Sequence, residues 1–267
     1  MLESQWRLLR DGPADGPWNM ALDEAVAQAV GEGQAPATLR FYTWSAPTVS
    51  FGYLQRTPGG VDLDACRRAG IPLVRRISGG RAVLHAEELT YSVAIPLSGP
   101  WRTLSVPAGF RLIGGALIAG LRRLGVEAGM GEAGLQPAAG RETGACFLAP
   151  RLPAILVKGR KLVGSAQRRF HRSLLQHGSL LLDFDPHLHQ VVFPAWPRTD
   201  ATAGVTFLRA LLGASPTVER LVSALAAGWG EFFGGPCLPG EYLPPERSAA
   251  EKLARARYGN AAWTFQR

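Results

Sequence analysis

"RRISGGRAVLHAEELTYSVAIPL", residues 75–97, is the stretch on which the reading of the fold turns. "IPLVRRI" reads as a strand ending near Arg75-Arg76, Gly79-Gly80 breaks the run, and "RAVLH" and "LTYSVAIPL" read as further strands. Outward from it, "ATLRFYTW" and "TVSFGYLQ" predict two more strands around "SAP". "GPWNMALDEAVAQAVGEG" predicts a helix, with Leu22, Ala25, Val26, Ala29 and Val30 at helical spacing and Gly31 and Gly33 closing it. "VDLDACRRAG" predicts a short helix ending at Gly70, and "FRLIGGALIAGLRRLGV" a longer one. "AILVKGRKLVGSAQ" is a hairpin turning at Lys158-Gly159, and "SLLQHGSLLLDF" a strand pair or a bulged strand. "TVERLVSALAAGWGEFFG" and "PPERSAAEKLARARYG" predict closing helices. Strands alternate with helices too irregularly for a doubly wound parallel sheet. The expectation is an α+β fold with mixed or antiparallel sheets flanked by helices.

The composition narrows the function. A chain of 267 residues, 46% apolar, buries an ample core. Its net charge of +8, carried by only 19% charged residues, favours acidic partners without choosing among nucleic acid, lipid and protein. Three cysteines, with neither CxxC nor Cys/His metal spacing, argue against a disulfide framework and a structural zinc site. The first residues lack an apolar signal core, and the longest apolar run, "LIGGALIAGL" at 112–121, is too short for a bilayer. A cytoplasmic protein with no membrane association is expected.

Four places carry candidate chemistry. Gly79-Gly80, between Arg75-Arg76 and Arg81, lets backbone approach a ligand, or is simply a hairpin with solvated arginines. Lys161 interrupts an apolar alternation; it is either inward and functional or on the exposed face. His177, beside Gly178, is a general base or a hydrogen-bonded wall residue. Cys146, in "GACFLAP" (144–150), ends a long loop running from Gly125 to Pro153, the kind of segment that is often functional. An ammonium close to its thiol would make the thiolate nucleophile available, though a separation of fifteen residues from Lys161 does not establish contact.

Six segments in order, "MALDEA", "LRFYTWSAPTVSFGYLQ", "RRISGGRAVLH", "ELTYS", "KGRKLVGSAQ" and "LLQHGSLLLD", resemble the biotin/lipoate protein ligase superfamily. Its ligases carry three consecutive glycines where this chain has Gly79-Gly80-Arg81, and an aspartate where it has Ala86. The "ACF" before the lysine hairpin, with "GSAQ" and "LLQHGS", is instead similar to the LipM-type octanoyltransferases.

That resemblance implies a biotin/lipoate protein ligase catalytic fold over about 34–215, followed by a C-terminal helical extension over about 216–267. It implies Cys146 as acyl-thioester nucleophile and Lys161 as the group that lowers its pKa and holds the acyl carbonyl. Substrate contacts are implied at Arg75, Ser78, Gly79, Gly80, Arg81, Val83, His85 and Tyr91, and at Gly164, Ser165, Ala166, His177 and Gly178. Leu84, Val83, Val163 and Tyr91 are expected to line an apolar tunnel, and some of Arg75, Arg76, Arg81, Arg168 and Arg169 to form a basic rim. The implied donor is octanoyl-acyl carrier protein; the implied acceptors are lysines of the glycine-cleavage H protein or E2 lipoyl domains. Neither a metal nor a cofactor is expected, and no nucleic acid, since no helix-turn-helix precedes residue 18. An ATP- and Mg-dependent lipoate ligase and a LipL-type amidotransferase acting between lipoyl-domain proteins are the alternatives.

Overall fold

The computed structural model describes residues 5–131, 154–200, 202 and 204–267. Cys146 and most of the expected long loop lie outside the described residues. Among those described, the backbone forms a mixed eight-stranded sheet and a separate three-stranded one.

The large sheet is laid down by β1 (Trp6–Ala14), β2 (Thr38–Trp44), β6 (Glu88–Pro96), β7 (Gly129–Met130), β8 (Ala154–Val157), β9 (Arg160–Arg169), β10 (Ser173–Leu181) and β11 (Cys237–Pro239). Their spatial order is β11-β1-β2-β6-β10-β9-β8-β7. β1 runs parallel to β2 and β11, and the remaining pairs are antiparallel. β3 (Thr48–Phe51) is flanked by β4 (Leu73–Arg75), parallel, and β5 (Val83–His85), antiparallel, in the small sheet. The opening stretch therefore supplies strands to both sheets, with Gly79-Gly80 in the connection between β4 and β5 of the small sheet and the passage to the large sheet at Ala86-Glu87.

Helix α1 (Gly16–Gly31) is capped by the Asp15 carboxylate, which accepts from Trp18 N at 2.8 Å, and carries Pro17 in its first turn. It is buried almost all round, against β2, β6 and β10 on one side and the C-terminal helix α7 (Pro244–Leu253) on another. The opposite face of the large sheet is covered by α3 (Val106–Arg122) and α6 (Val218–Phe233). α6 starts at the Thr217 cap and stops at Gly234, whose φ of 72° is the left-handed C-cap conformation. The lysine hairpin turns as expected: Lys158 (φ 48°) and Gly159 (φ 75°) both take positive φ, the two-residue turn that matches strand twist.

β10 departs from expectation, being a single nine-residue strand in unbroken register with β6 and β9. Gly178 within it marks close packing, not a bulge: an added Cβ would sit 2.3 Å from Gly164 O and 2.7 Å from the Tyr91 ring. The segment expected as an extension from about residue 216 packs into the main core. Leu221, Leu225, Trp229 and Phe233 of α6 join Trp6, Leu39 and Tyr91 in one apolar cluster, and β11 extends the large sheet beside β1.

Between the small sheet and the turns after β10, α4 (Pro186–Val192) buries His189 against Phe184 and Trp196, with ring centroids 4.2 and 4.8 Å away. Burial pulls its pKa down to about 4, against partial opposition from the Asp185 carbonyl, which accepts from Nδ1. A depressed histidine is neutral when folded, whereas the unfolded chain takes up a proton below about pH 6.5. Stability is thus lost as pH falls from about 6.5 to 4, by about 3 kcal/mol from this one group. His189→Phe is expected to unfold with a shallower loss of stability than the wild type across that window in urea titrations.

Candidate active site

Strand register builds the site. Tyr42, Thr90, Ser179 and Gly164 form one row across β2, β6, β10 and β9. Arg40, Ser92, His177 and Ala166 form the next. Over these rows lie Met20 of α1, Arg76 from the turn after β4, and Val83 and His85 of β5. Together they border a cleft of about 420 Å³ counted to its solvent mouth. Gly164, Ser165 and Ala166 from one strand, and His177, Gly178 and Ser179 from the next, complete the walls.

Most of these residues are polar by type, yet their polar atoms are bound to groups that do not line the cleft. The Asp23 carboxylate accepts from Arg40 Nη1 at 2.7 Å, His177 Nδ1 at 2.8 Å and the Tyr42 hydroxyl at 3.0 Å. Burial works against its ionisation, but the His177 hydrogen bond and the Arg40 charge outweigh burial and hold its pKa below the ordinary value. A carboxylate only accepts, so His177 Nδ1 donates to Asp23, while Nε2 is hydrogen-bonded to Ser78 Oγ at 2.5 Å. His85 is held in the same way between Glu88 Oε1 (2.8 Å) and Ser50 Oγ (2.7 Å), with its ring stacked 4.0 Å from Trp44. Both histidines are thus bracketed at both nitrogens and serve as wall residues.

Val83, His85, Gly164, Ser165, Ala166, His177 and Gly178 come together at the cleft. Ser78 stands directly behind it on His177. Gly79 and Gly80 are not among the residues that line it; the Gly80 carbonyl packs on Gly52 so closely that a Cβ on Gly52 would be 1.9 Å from it. Arg81 is half-buried and gives its carbonyl to Arg76.

Four expected contacts are displaced by a single residue. Arg75 is turned away, fully buried, donating to the carbonyls of Gly52, Gln55 and Thr264, and Arg76 takes the place at the cleft. Tyr91 lies on the α3 face, its hydroxyl 2.6 Å from Ser165 Oγ, and Thr90 faces the cleft. Leu84 and Val163 likewise enter apolar clusters while Val83 and Gly164 line the wall. Side chains alternate along a strand, and here both faces are buried, so hydrophobicity does not mark the side on which the cleft lies. Arg75 and Arg76, being buried on backbone carbonyls, are no part of a basic rim; Arg169 is exposed and Arg168 half-buried over the Tyr53 ring. Met20, Tyr42 and Ser179 carried no signal in the sequence pattern, because a buried helix face and a two-sided strand look the same whether or not they border a cavity.

Lys161 is buried at 6% exposure, which disposes of the exposed-face reading. Its backbone is fixed on both sides, N–H to Gly204 O at 2.8 Å and carbonyl from Thr206 N at 2.9 Å. It precedes Gly164 by three residues, about 10 Å along the strand at roughly 3.3 Å per residue. The two described cysteines are held as thiols: burial pushes Cys66 up to about 11 and Cys237 up to about 12. No helix among the described residues is long and apolar enough to cross a membrane.

A family described as the lipoyl protein ligase A/B catalytic domain matches residues 15–230, and the chain belongs to it. The LipM octanoyltransferase of Kyrpidia tusciae is 43% identical over 273 residues, covering 98% of this chain and 99% of that protein. The LipM octanoyltransferase of Symbiobacterium thermophilum is 40% identical over the full length of both. Within the family the chain is therefore an octanoyltransferase of the LipM type, an acyltransferase of lipoate biosynthesis. A crystal structure of lipoate-protein ligase A bound with ATP superposes with a TM-score of 0.82 at 25% identity, covering 98% of each chain. A bi-partite lipoate protein ligase from Thermoplasma acidophilum, described with its E2 lipoyl domain, gives 0.77 at 22%, covering 99% of this chain and 97% of that one, and shows the shared fold. The expected superfamily, fold and enzyme class are borne out.

Proposed function

We propose a two-step transfer through an octanoyl-thioester on Cys146, with Lys161 stabilising the thiolate and polarising the acyl carbonyl. The observation that carries it is the burial of Lys161, at 6% exposure, on the strand whose Gly164, Ser165 and Ala166 wall the cleft. The Cys146 thiolate attacks the thioester of octanoyl-acyl carrier protein; the new C–S bond forms, the carrier's C–S bond breaks and its thiolate leaves, taking up a proton. The ε-amine of an acceptor lysine then attacks, the C–N bond forms, and Cys146 departs with a proton from the attacking nitrogen. Thioester to amide is downhill, so the reaction asks for neither ATP nor a metal.

Acceptor lysines on the H protein or E2 lipoyl domains fit this reading, as does a cytoplasmic setting. The excess positive charge would draw acidic carriers, with Arg169 and the half-buried Arg81 and Arg168 available near the surface. The eight-carbon chain is seated in the cleft, where each buried methylene adds about 0.8 kcal/mol.

The test is transfer from octanoyl-acyl carrier protein to apo H protein without ATP, read as a mass shift on the acceptor. Transfer only with ATP and free lipoate would establish the ligase alternative, and transfer only from an octanoylated lipoyl domain the amidotransferase. The thiol assignment has its own readout. With Cys66 and Cys237 pushed far up, iodoacetamide at pH 8 is expected to label Cys146 selectively, and Lys161→Ala to move the labelling profile of Cys146 to higher pH. A profile that stays in place would show that Lys161 does not act on that sulfur.

A further inference from the structure

Three side chains of the cleft wall are tied to one atom. Glu88 Oε1 accepts from His85 Nδ1 at 2.8 Å, Thr90 Oγ1 at 2.6 Å and Ser179 Oγ at 2.8 Å. His85, Thr90 and Ser179 all line the cleft, whereas Glu88 does not, standing behind them at 4% exposure. Its other oxygen has no hydrogen-bond partner among the described residues, so every hydrogen bond shown for this carboxylate goes to that wall.

We infer that Glu88 is the positioning residue that keeps this wall apolar, by drawing three donors away from the cleft, and that it thereby sets the enzyme's preference for an unsubstituted alkyl chain. The inference rests on the proposed seating of the acyl chain in the cleft. A wall of two hydroxyls and an imidazole would otherwise offer its donors to the substrate, and an alkyl chain leaves such donors unsatisfied. Turned onto one carboxylate, the same residues present carbon.

The experiment compares octanoyl- and ω-hydroxyoctanoyl-acyl carrier protein as donors for the wild type, Glu88→Leu and Glu88→Gln. The wild type is expected to favour the octanoyl donor. Glu88→Leu frees all three donors and is expected to raise the octanoyl KM about tenfold or more, with a smaller change in kcat, and to narrow the preference between donors. Glu88→Gln keeps an oxygen that can accept the same three donors and should retain the preference, which a merely structural loss would not explain. Should Glu88→Leu fail to fold, Glu88→Asp, whose shorter arm cannot reach all three donors, must narrow the preference in the same direction. An unchanged donor ratio in a folded Glu88→Leu or Glu88→Asp enzyme overturns the inference. Val83→Trp, which fills the cleft, separates the two readings. If it leaves the octanoyl KM unchanged, the seating of the chain is wrong; if it blocks transfer while the Glu88 variants keep the wild-type ratio, only the role of Glu88 is wrong.

Discussion

Cys146→Ala is expected to lower octanoyl transfer on the order of 10³-fold or more and to abolish the octanoyl-enzyme seen by mass spectrometry after mixing with donor alone. Removing a covalent nucleophile eliminates the route rather than slowing it, so the residue left over is only what binding and polarisation provide. The other two thiols cannot stand in. Cys66 is buried under the small sheet and Cys237 is half-buried on β11, and both are held protonated far above neutral pH. Cys66→Ala is the matching control: a loss there as large as that of Cys146→Ala would mean that the wrong thiol carries the acyl group.

The second large effect is on stability. Asp23→Leu is expected to destabilise the fold by about 3–5 kcal/mol in urea unfolding, because it removes one partner of a buried ion pair and leaves the other charged. Arg40 and Asp23 are each 1% exposed and 2.7 Å apart, and the same carboxylate holds His177 and Tyr42. Asp11, 2.6 Å from Arg40 Nε, keeps part of the guanidinium compensated, so the loss falls short of that of an isolated buried charge. The pH signature has a definite sign. A carboxylate held below its ordinary pKa contributes fully above about pH 3.8 and loses its contribution only as pH falls below that through the folded-state value. The wild type and Asp23→Leu should therefore converge in stability in strong acid, whereas the His189 effect is already complete near pH 4.

The elements with local signals were legible in advance. α1 announced itself by a helical apolar period closed by Gly31 and Gly33, and the turn at Lys158-Gly159 by its glycine, which takes positive φ without steric cost. Gly178 was misread because a glycine within a strand pattern signals either a bulge or a close approach, and only the position of Gly164 and Tyr91 across the sheet distinguishes them. The candidate site was legible as a set of segments and not as a set of side chains. Every error among Arg75, Leu84, Tyr91 and Val163 is a displacement by one residue to the opposite face of a strand buried on both sides.

By itself the sequence determined the family, the kind of chemistry and the segments that meet, since these reside in residue types and their order. The tertiary structure alone decided which face of each strand forms the cleft, because both faces are buried and the alternation of apolar residues carries no preference between them. It also decided where the oxygens of Asp23 and Glu88 fall, since Asp23 meets Arg40, Tyr42 and His177, and Glu88 meets Ser179, across separate elements of the fold.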